Sequence, residues 1–156
     1  MHTIELAEPL YLEARQRFAK LPHVHCHHGH SPEVLAQLVP DLEGAVLFYL
    51  DAHYSGDVAT EWLRFKGYGV DTARSSVPLL EELDVIMRLC RGPCAVYIDD
   101  MDKFDAQGQG LRDQGFVGED WSHLTVRALH AAVAPRLNRT LTFGDQLVFH
   151  LAAQDS

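Results

Sequence analysis

Three acidic residues stand directly behind apolar runs: Asp51 follows residues 45–50, and Asp99 and Asp100 follow residues 94–98. A carboxylate in such a position is unfavourable unless it is solvated, hydrogen-bonded or bound to a cation. Carboxylates from adjacent strand ends can converge on one hard divalent ion such as Mg²⁺, which prefers oxygen ligands. Any one Asp is accounted for more simply as a loop or helix cap. The set of three favours a site, because ligands of open α/β sheets bind beyond the carboxyl ends of the strands. His53, two residues after Asp51, is a candidate base or substrate contact.

A second concentration of chemistry is the run 22–30, which holds five of the ten histidines. On a strand, His23, His25 and His27 share one face, while Cys26 and His28 share the other. Imidazoles at this spacing can bind Zn²⁺, Ni²⁺ or Cu²⁺ once a third ligand joins them. A polar strand face that happens to be rich in histidine is the simpler reading, since neighbours on one face rarely complete a tetrahedron without outside ligands. Either way the run gains charge below roughly pH 6.5.

The elements that position these residues are legible from punctuation and periodicity. Residues 3–6 predict a short strand and residues 9–21 a helix opened by Pro9, with Tyr11, Leu12, Ala14, Phe18 and Leu21 at helical spacing. A strand through 23–28 and a turn at Gly29-His30 follow. The next helix starts at Ser31-Pro32-Glu33, with Ser31 as N-cap. The continuously apolar run 45–50 predicts a parallel strand covered on both faces. After a less regular stretch, 57–74, Ser76 and Pro78 open a helix, and 94–98 form a second buried strand. Residues 107–118 carry four of the eleven glycines and predict a mobile loop. A helix over 122–134 precedes strands 139–143 and 146–151, joined by Gly144-Asp145 as a hairpin. The alternation predicts an α/β, mainly parallel, doubly wound sheet with a C-terminal antiparallel hairpin.

With 156 residues, 47% of them hydrophobic, the chain is expected to form a single domain, 1–156, around one core. The net charge of −9, from 22 acids against 13 Lys and Arg, argues against nucleic-acid binding, which needs a basic footprint. No apolar run reaches the ~20 residues of a membrane span, and no leader pattern is present. The expected setting is cytoplasmic, with Cys26, Cys90 and Cys94 as reduced thiols.

Three stretches together carry a family resemblance: Leu50-Asp51-Ala52-His53-Tyr54-Ser55-Gly56, the helix start Pro78-Leu79-Leu80-Glu81-Glu82-Leu83, and Tyr97-Ile98-Asp99-Asp100-Met101. The chain resembles class I S-adenosylmethionine-dependent methyltransferases, closest to the metal-dependent O-methyltransferases of the catechol and macrolide-sugar type. The resemblance implies a Rossmann-like sheet. In it Glu5 would accept hydrogen bonds from the cofactor ribose, and Gly29, His30 and Ser31 would hold the adenine. Asp51, Asp99 and Asp100 would hold the divalent ion, with Asp51 also beside the cofactor and His53 as candidate base. In one respect the chain departs from the family: residues 3–6 look like the family's second strand, so its first strand and glycine-rich loop have no counterpart here. That first strand is central in the family's sheet. Its loss implies either direct pairing across the gap or pairing supplied by a second chain, since unpaired buried strands are not tolerated.

Two principal functions follow. One is an S-adenosylmethionine- and Mg²⁺-dependent O-methyltransferase acting on a small hydroxylated molecule. The other is a non-catalytic remnant of the fold that works through self-association or a partner protein, a homo-oligomer formed through exposed sheet edges. A metal-dependent hydrolase using the same acids and histidines is a third reading.

Overall fold

The structure, a computed structural model, describes residues 1–51, 77–104, 121 and 123–154. Strand β1 (His2–Glu5) leads into helix α1 (Glu8–Arg17), where Pro9 takes a first-turn position that needs no backbone donor. Strand β2 (His25–His28) returns parallel to β1, with His2 opposite His25 and Glu5 opposite His28. Helix α2 (Ser31–Leu38) follows the Gly29 turn. Ser31, expected as N-cap, is the first helical residue instead. His30 occupies the cap without a side-chain hydrogen bond, and the Ser31 hydroxyl bonds the Glu82 carboxyl.

The remaining strands form a second sheet in the order β3-β4-β6-β5. Strands β3 (Val46–Leu50) and β4 (Cys94–Ile98) pair in parallel, Val46 opposite Cys94 and Leu50 opposite Ile98. Between them lies helix α3 (Leu79–Leu89), with Pro78 at its cap position. Helix α4 (Val126–Val133) starts at Thr125, whose Oγ1 accepts from Ala128 N at 3.0 Å. The chain closes with the hairpin of β5 (Leu137–Phe143) and β6 (Gln146–Leu151), turned at Gly144 and Asp145, and β6 inserts antiparallel beside β4. Gly144 has φ +61°, which glycine adopts without strain. The architecture is thus mixed α/β with the expected C-terminal hairpin, but the described strands divide into two sheets rather than one.

The core lies against one face of the larger sheet. Phe48, Leu50, Val96, Ile98, Phe149 and Leu151 pack there with Leu83, Ile86, Leu129 and Val133 of the helices. Ile4 of β1 and Leu35 of α2 join the same core, so the smaller sheet is attached to it through α2. The expectation that β3 is covered on both faces is not met among the described residues. Leu47 and Tyr49, which alternate with buried Phe48 and Leu50, are 65% and 56% exposed. Helix α1 buries only Pro9 fully, and Leu12 is half exposed despite its helical spacing with Tyr11.

Arg136 ties the chain just after β6 to the segment between α3 and β4. Its guanidinium is buried and donates to the carbonyl oxygens of Cys90 at 2.7 Å, Gly92 at 2.8 Å and Ala152 at 2.9 Å. The first of these is an orphan carbonyl at the end of α3, where a cation is favoured. Cys90 and Cys94 are buried free thiols and Cys26 is a half-buried one. Burial, with Cys90 alongside, pushes the Cys94 thiol up to about 12, so it is inert as a nucleophile.

Candidate active site

The carboxyl ends of β3 and β4 lie side by side because the strands pair in register through Leu50 and Ile98. Asp51 and Asp99-Asp100 therefore emerge together. They border one narrow cleft with Leu50, Val77, Leu79, Glu82 and Trp121. The sequence-expected trio is thus gathered at one place, and the cleft has room for about one water-sized group.

Each acid is held by its surroundings. Asp99 Oδ1 accepts from Asp100 N at 3.0 Å, while Asp99 Oδ2 accepts from the Tyr49 hydroxyl and, at 3.5 Å, from Gln146 Nε2. The hydrogen bond to Asp99 comes first in pushing the Tyr49 phenol up to about 12. Burial and the charges of Asp99, Asp51 and Asp100 add to it. Asp100 Oδ2 pairs with Lys103 Nζ at 2.8 Å, both side chains mostly sheltered from solvent. Asp100 is also the one described non-glycine residue at positive φ, +61°. That left-handed backbone is one Asp tolerates better than most, and such conformations cluster at functional sites. Met101 N donates to Asp145 O at 2.8 Å, which ties the hairpin turn to this corner. As a result Asp100, Asp102 and Asp145 bring carboxylate oxygens within 4.8 Å of one another, a second grouping that shares Asp100 with the first.

Glu82, on α3, is the residue that sequence reasoning missed. Glu82 is 1% exposed and lines the same cleft, and its Oε2 has no hydrogen-bond partner among the described residues. Burial raises its carboxyl to about 7, against a smaller lowering by the Ser31 hydroxyl bond. The sequence signal was available as an acid on the apolar side of α3, one helical turn from Leu79 and Ile86. The bond to Ser31 links this cleft to the Gly29–Ser31 turn. There His30 is also buried, and its Nε2 has no partner among the described residues. A buried polar atom without a partner costs about 1–3 kcal/mol, so a water or ligand group bonded to either atom would be stabilising.

The Gly29 turn sits at the end of β2, beside the end of β1. Gly29 N donates to Glu5 O at 3.0 Å. Gly29 has φ +150°, and a Cβ there would meet Val34 Cγ2 at 2.9 Å, so glycine is required on both counts. Glu5 is half-buried, and burial raises its carboxyl. Glu5, Gly29, His30 and Ser31 are therefore brought together at one end of the smaller sheet. His53 and the glycine-rich stretch 107–118 lie outside the described residues.

The chain matches no protein-family model and no curated protein. It does match solved structures. One is an O-methyltransferase from neocarzinostatin biosynthesis, in complex with S-adenosyl-L-homocysteine and 1,4-dihydroxy-2-naphthoic acid. It has a TM-score of 0.54 and 10% identity over 98% of this chain and 42% of that one. Another is the O-methyltransferase TomG of Streptomyces achromogenes, involved in tomaymycin synthesis, in complex with S-adenosylmethionine. Its TM-score is 0.56 at 18% identity, over 98% of this chain and 61% of that one. The chain spans less than two thirds of either enzyme. Over that span it has the mixed α/β fold of these O-methyltransferases.

Proposed function

We propose that this chain is an S-adenosylmethionine-dependent, divalent-metal-assisted O-methyltransferase-like protein acting on a small hydroxylated molecule. One observation carries the reading. The ends of two adjacent parallel strands deliver Asp51, Asp99 and Asp100 to one cleft on a fold shared with O-methyltransferases. The donor set fits a hard cation, being all oxygen. Glu82 Oε2, without a partner among the described residues, adds a fourth carboxyl group on the same wall. Asp51, Asp99 and Asp100 would hold the ion, which when bound lowers the pKa of a substrate hydroxyl.

The protein's own groups do the rest. Tyr49 and Gln146 orient the Asp99 carboxylate, and Lys103 orients Asp100. Glu5 offers a carboxylate to ribose hydroxyls, and the Gly29 turn, which admits no side chain, leaves His30 and Ser31 to hold the adenine. His53 is the proposed proton acceptor. Calorimetric titration with S-adenosylmethionine and its demethylated product, with and without Mg²⁺, tests this. Binding of either supports the reading, and absence of binding for both ends the catalytic version.

A second reading rests on a different observation. Among the described strands, β1 and β3 are each an edge of their sheet, and β3 presents exposed Leu47 and Tyr49. Exposed edges invite pairing, so a non-catalytic homo-oligomer through these edges is the alternative. Light scattering separates the two, because a strict monomer that binds the cofactor excludes it. No helix among the described residues is long and apolar enough to cross a membrane.

A further inference from the structure

The histidine run gains its outside ligand from an unexpected source, the first strand. The parallel register of β1 and β2 sets His2 directly opposite His25 and diagonal to His27, so three imidazoles project from one face. The His2 ring lies 5.1 Å from that of His25 and 5.2 Å from that of His27, between centroids. His2 Nδ1 and His27 Nε2 are hydrogen-bonded at 2.9 Å. His28, on the other face, is used differently: it stacks on Tyr11 and donates to the Leu6 carbonyl at 3.1 Å.

The geometry points to a borderline transition-metal site, for Zn²⁺, Ni²⁺ or Cu²⁺, formed by His2, His25 and His27 with water in the remaining position. Two imidazole nitrogens on a tetrahedral zinc, each about 2.0–2.1 Å from it, stand about 3.3 Å apart. His2 Nδ1 and His27 Nε2 need to open by only a few tenths of an ångström to take an ion in place of the proton between them. That proton moves to the other nitrogen of the ring that donates it, so both rings ligate as neutral imidazoles and no net proton is lost. His25 now stacks on His2, and it joins by rotating about its own side-chain bonds. His2 and His25 are exposed and His27 partly so, which leaves an entry path from solvent. Burial and mutual repulsion hold His2 and His27 below the ordinary histidine range, which keeps both lone pairs available at neutral pH.

This site is separate from the proposed active site. His2 opens β1, whereas Glu5, beside the Gly29 turn, closes it. The donor chemistry differs too, since imidazoles select Zn²⁺, Ni²⁺ and Cu²⁺ over Mg²⁺.

The test is titration of the whole chain with Zn²⁺ or Ni²⁺ against a chromogenic chelator, in excess Mg²⁺. One equivalent is expected to bind. Loss of an outer-shell partner alone weakens metal sites by about 10–100-fold, so His2→Ala and His27→Ala are each expected to weaken binding by about tenfold or more. His23→Ala and His150→Ala, both exposed and outside the cluster, are expected to leave it unchanged. Circular dichroism shows that each variant is folded, and His27→Gln supplies a second, milder change. The proposal is overturned if His2→Ala binds as wild type does, if the control variants lose as much, or if binding disappears in excess Mg²⁺. Failure of S-adenosylmethionine to bind would leave this site untouched, so the two readings fail separately.

Discussion

The two sheets are built from the same strand-helix-strand unit, yet they carry opposite loads. In the larger sheet, β4 and β6 bury Val96, Ile98, Leu147, Val148, Phe149 and Leu151 at 2% exposure or less. In the smaller sheet no strand residue is buried, and α1 buries one proline. Apolar burial supplies most of the stabilisation of a fold, so stability resides in the larger sheet. The smaller sheet holds titratable groups at or near the surface: five histidines, His2, His23, His25, His27 and His28, precede or lie within β1 and β2. A βα unit therefore need not be core. Where its strands are polar, it presents side chains rather than hiding them.

The largest effects should then fall in the larger sheet. Arg136→Ala leaves three carbonyls without their buried cation, and an unfolding titration in urea is expected to show a loss of roughly 3–5 kcal/mol. Arg136→Lys recovers only part, because an ammonium cannot reproduce the planar fork. Leu12→Ala in α1, half exposed, is expected to change stability by about 0.5 kcal/mol or less. Similar losses for Arg136→Ala and Leu12→Ala would erase the distinction between the regions.

A somewhat smaller effect separates the regions by the direction in which pH acts on them. Burial holds the Glu82 carboxyl up to about 7 in the folded protein, against an ordinary value of 4.5. Between those pH values the folded state binds the extra proton, so stability falls as pH rises, by about 3 kcal/mol at most across the window. Glu82→Gln is expected to flatten that slope. His2 and His27 act in the opposite sense. Their folded values lie below 6.5, so their contribution is present above the unfolded value and is lost as pH falls through the folded one. In metal-free buffer, amide exchange corrected for its intrinsic pH dependence is expected to show β1 and β2 opening more readily at pH ~5 than at pH ~7.5. β4 and β6 are expected to hold or gain protection over the same change. Parallel changes in both sheets would show that they open as one unit.

How much of this was legible depended on whether a signal was local. Strand 94–98 and strand 146–151 were readable residue for residue, because apolar runs bounded by turn residues carry their own limits. The gathering of Asp51, Asp99 and Asp100 was legible as well, from the rule that adjacent parallel strands end together. The rest needed tertiary information. The helical spacing of Tyr11, Leu12, Phe18 and Leu21 could not tell that the matching surface is absent from the described residues around α1. His2 could not be counted with His25 and His27 until a register of 23 residues' separation was known. Glu82 looked like one of two ordinary acids in the first turn of a helix, where acids are favoured anyway. Only its burial beside Ser31 distinguishes it from Glu81.

The smallest expected effect lies at the exposed edge of the larger sheet, where its packing gives way to chemistry. Tyr49 is more than half exposed, so Tyr49→Phe is expected to leave stability close to wild type. Its titration is informative nonetheless. The phenol is held up to about 12 chiefly because it donates to Asp99, whose carboxylate favours the protonated ring. In Asp99→Asn that hold is lost, and ultraviolet difference absorbance is expected to show one tyrosine returning toward about 10. Mg²⁺ is expected to produce a shift in the same direction in the wild-type chain, because a cation on Asp51, Asp99 and Asp100 offsets the negative charge that raises the phenol. If Asp99→Asn moves the tyrosine but Mg²⁺ does not, the carboxylates are present as a hydrogen-bonded corner of the fold and not as a metal site. The contrast between a structural sheet and a chemical one would then run along the β1–β2 histidines alone.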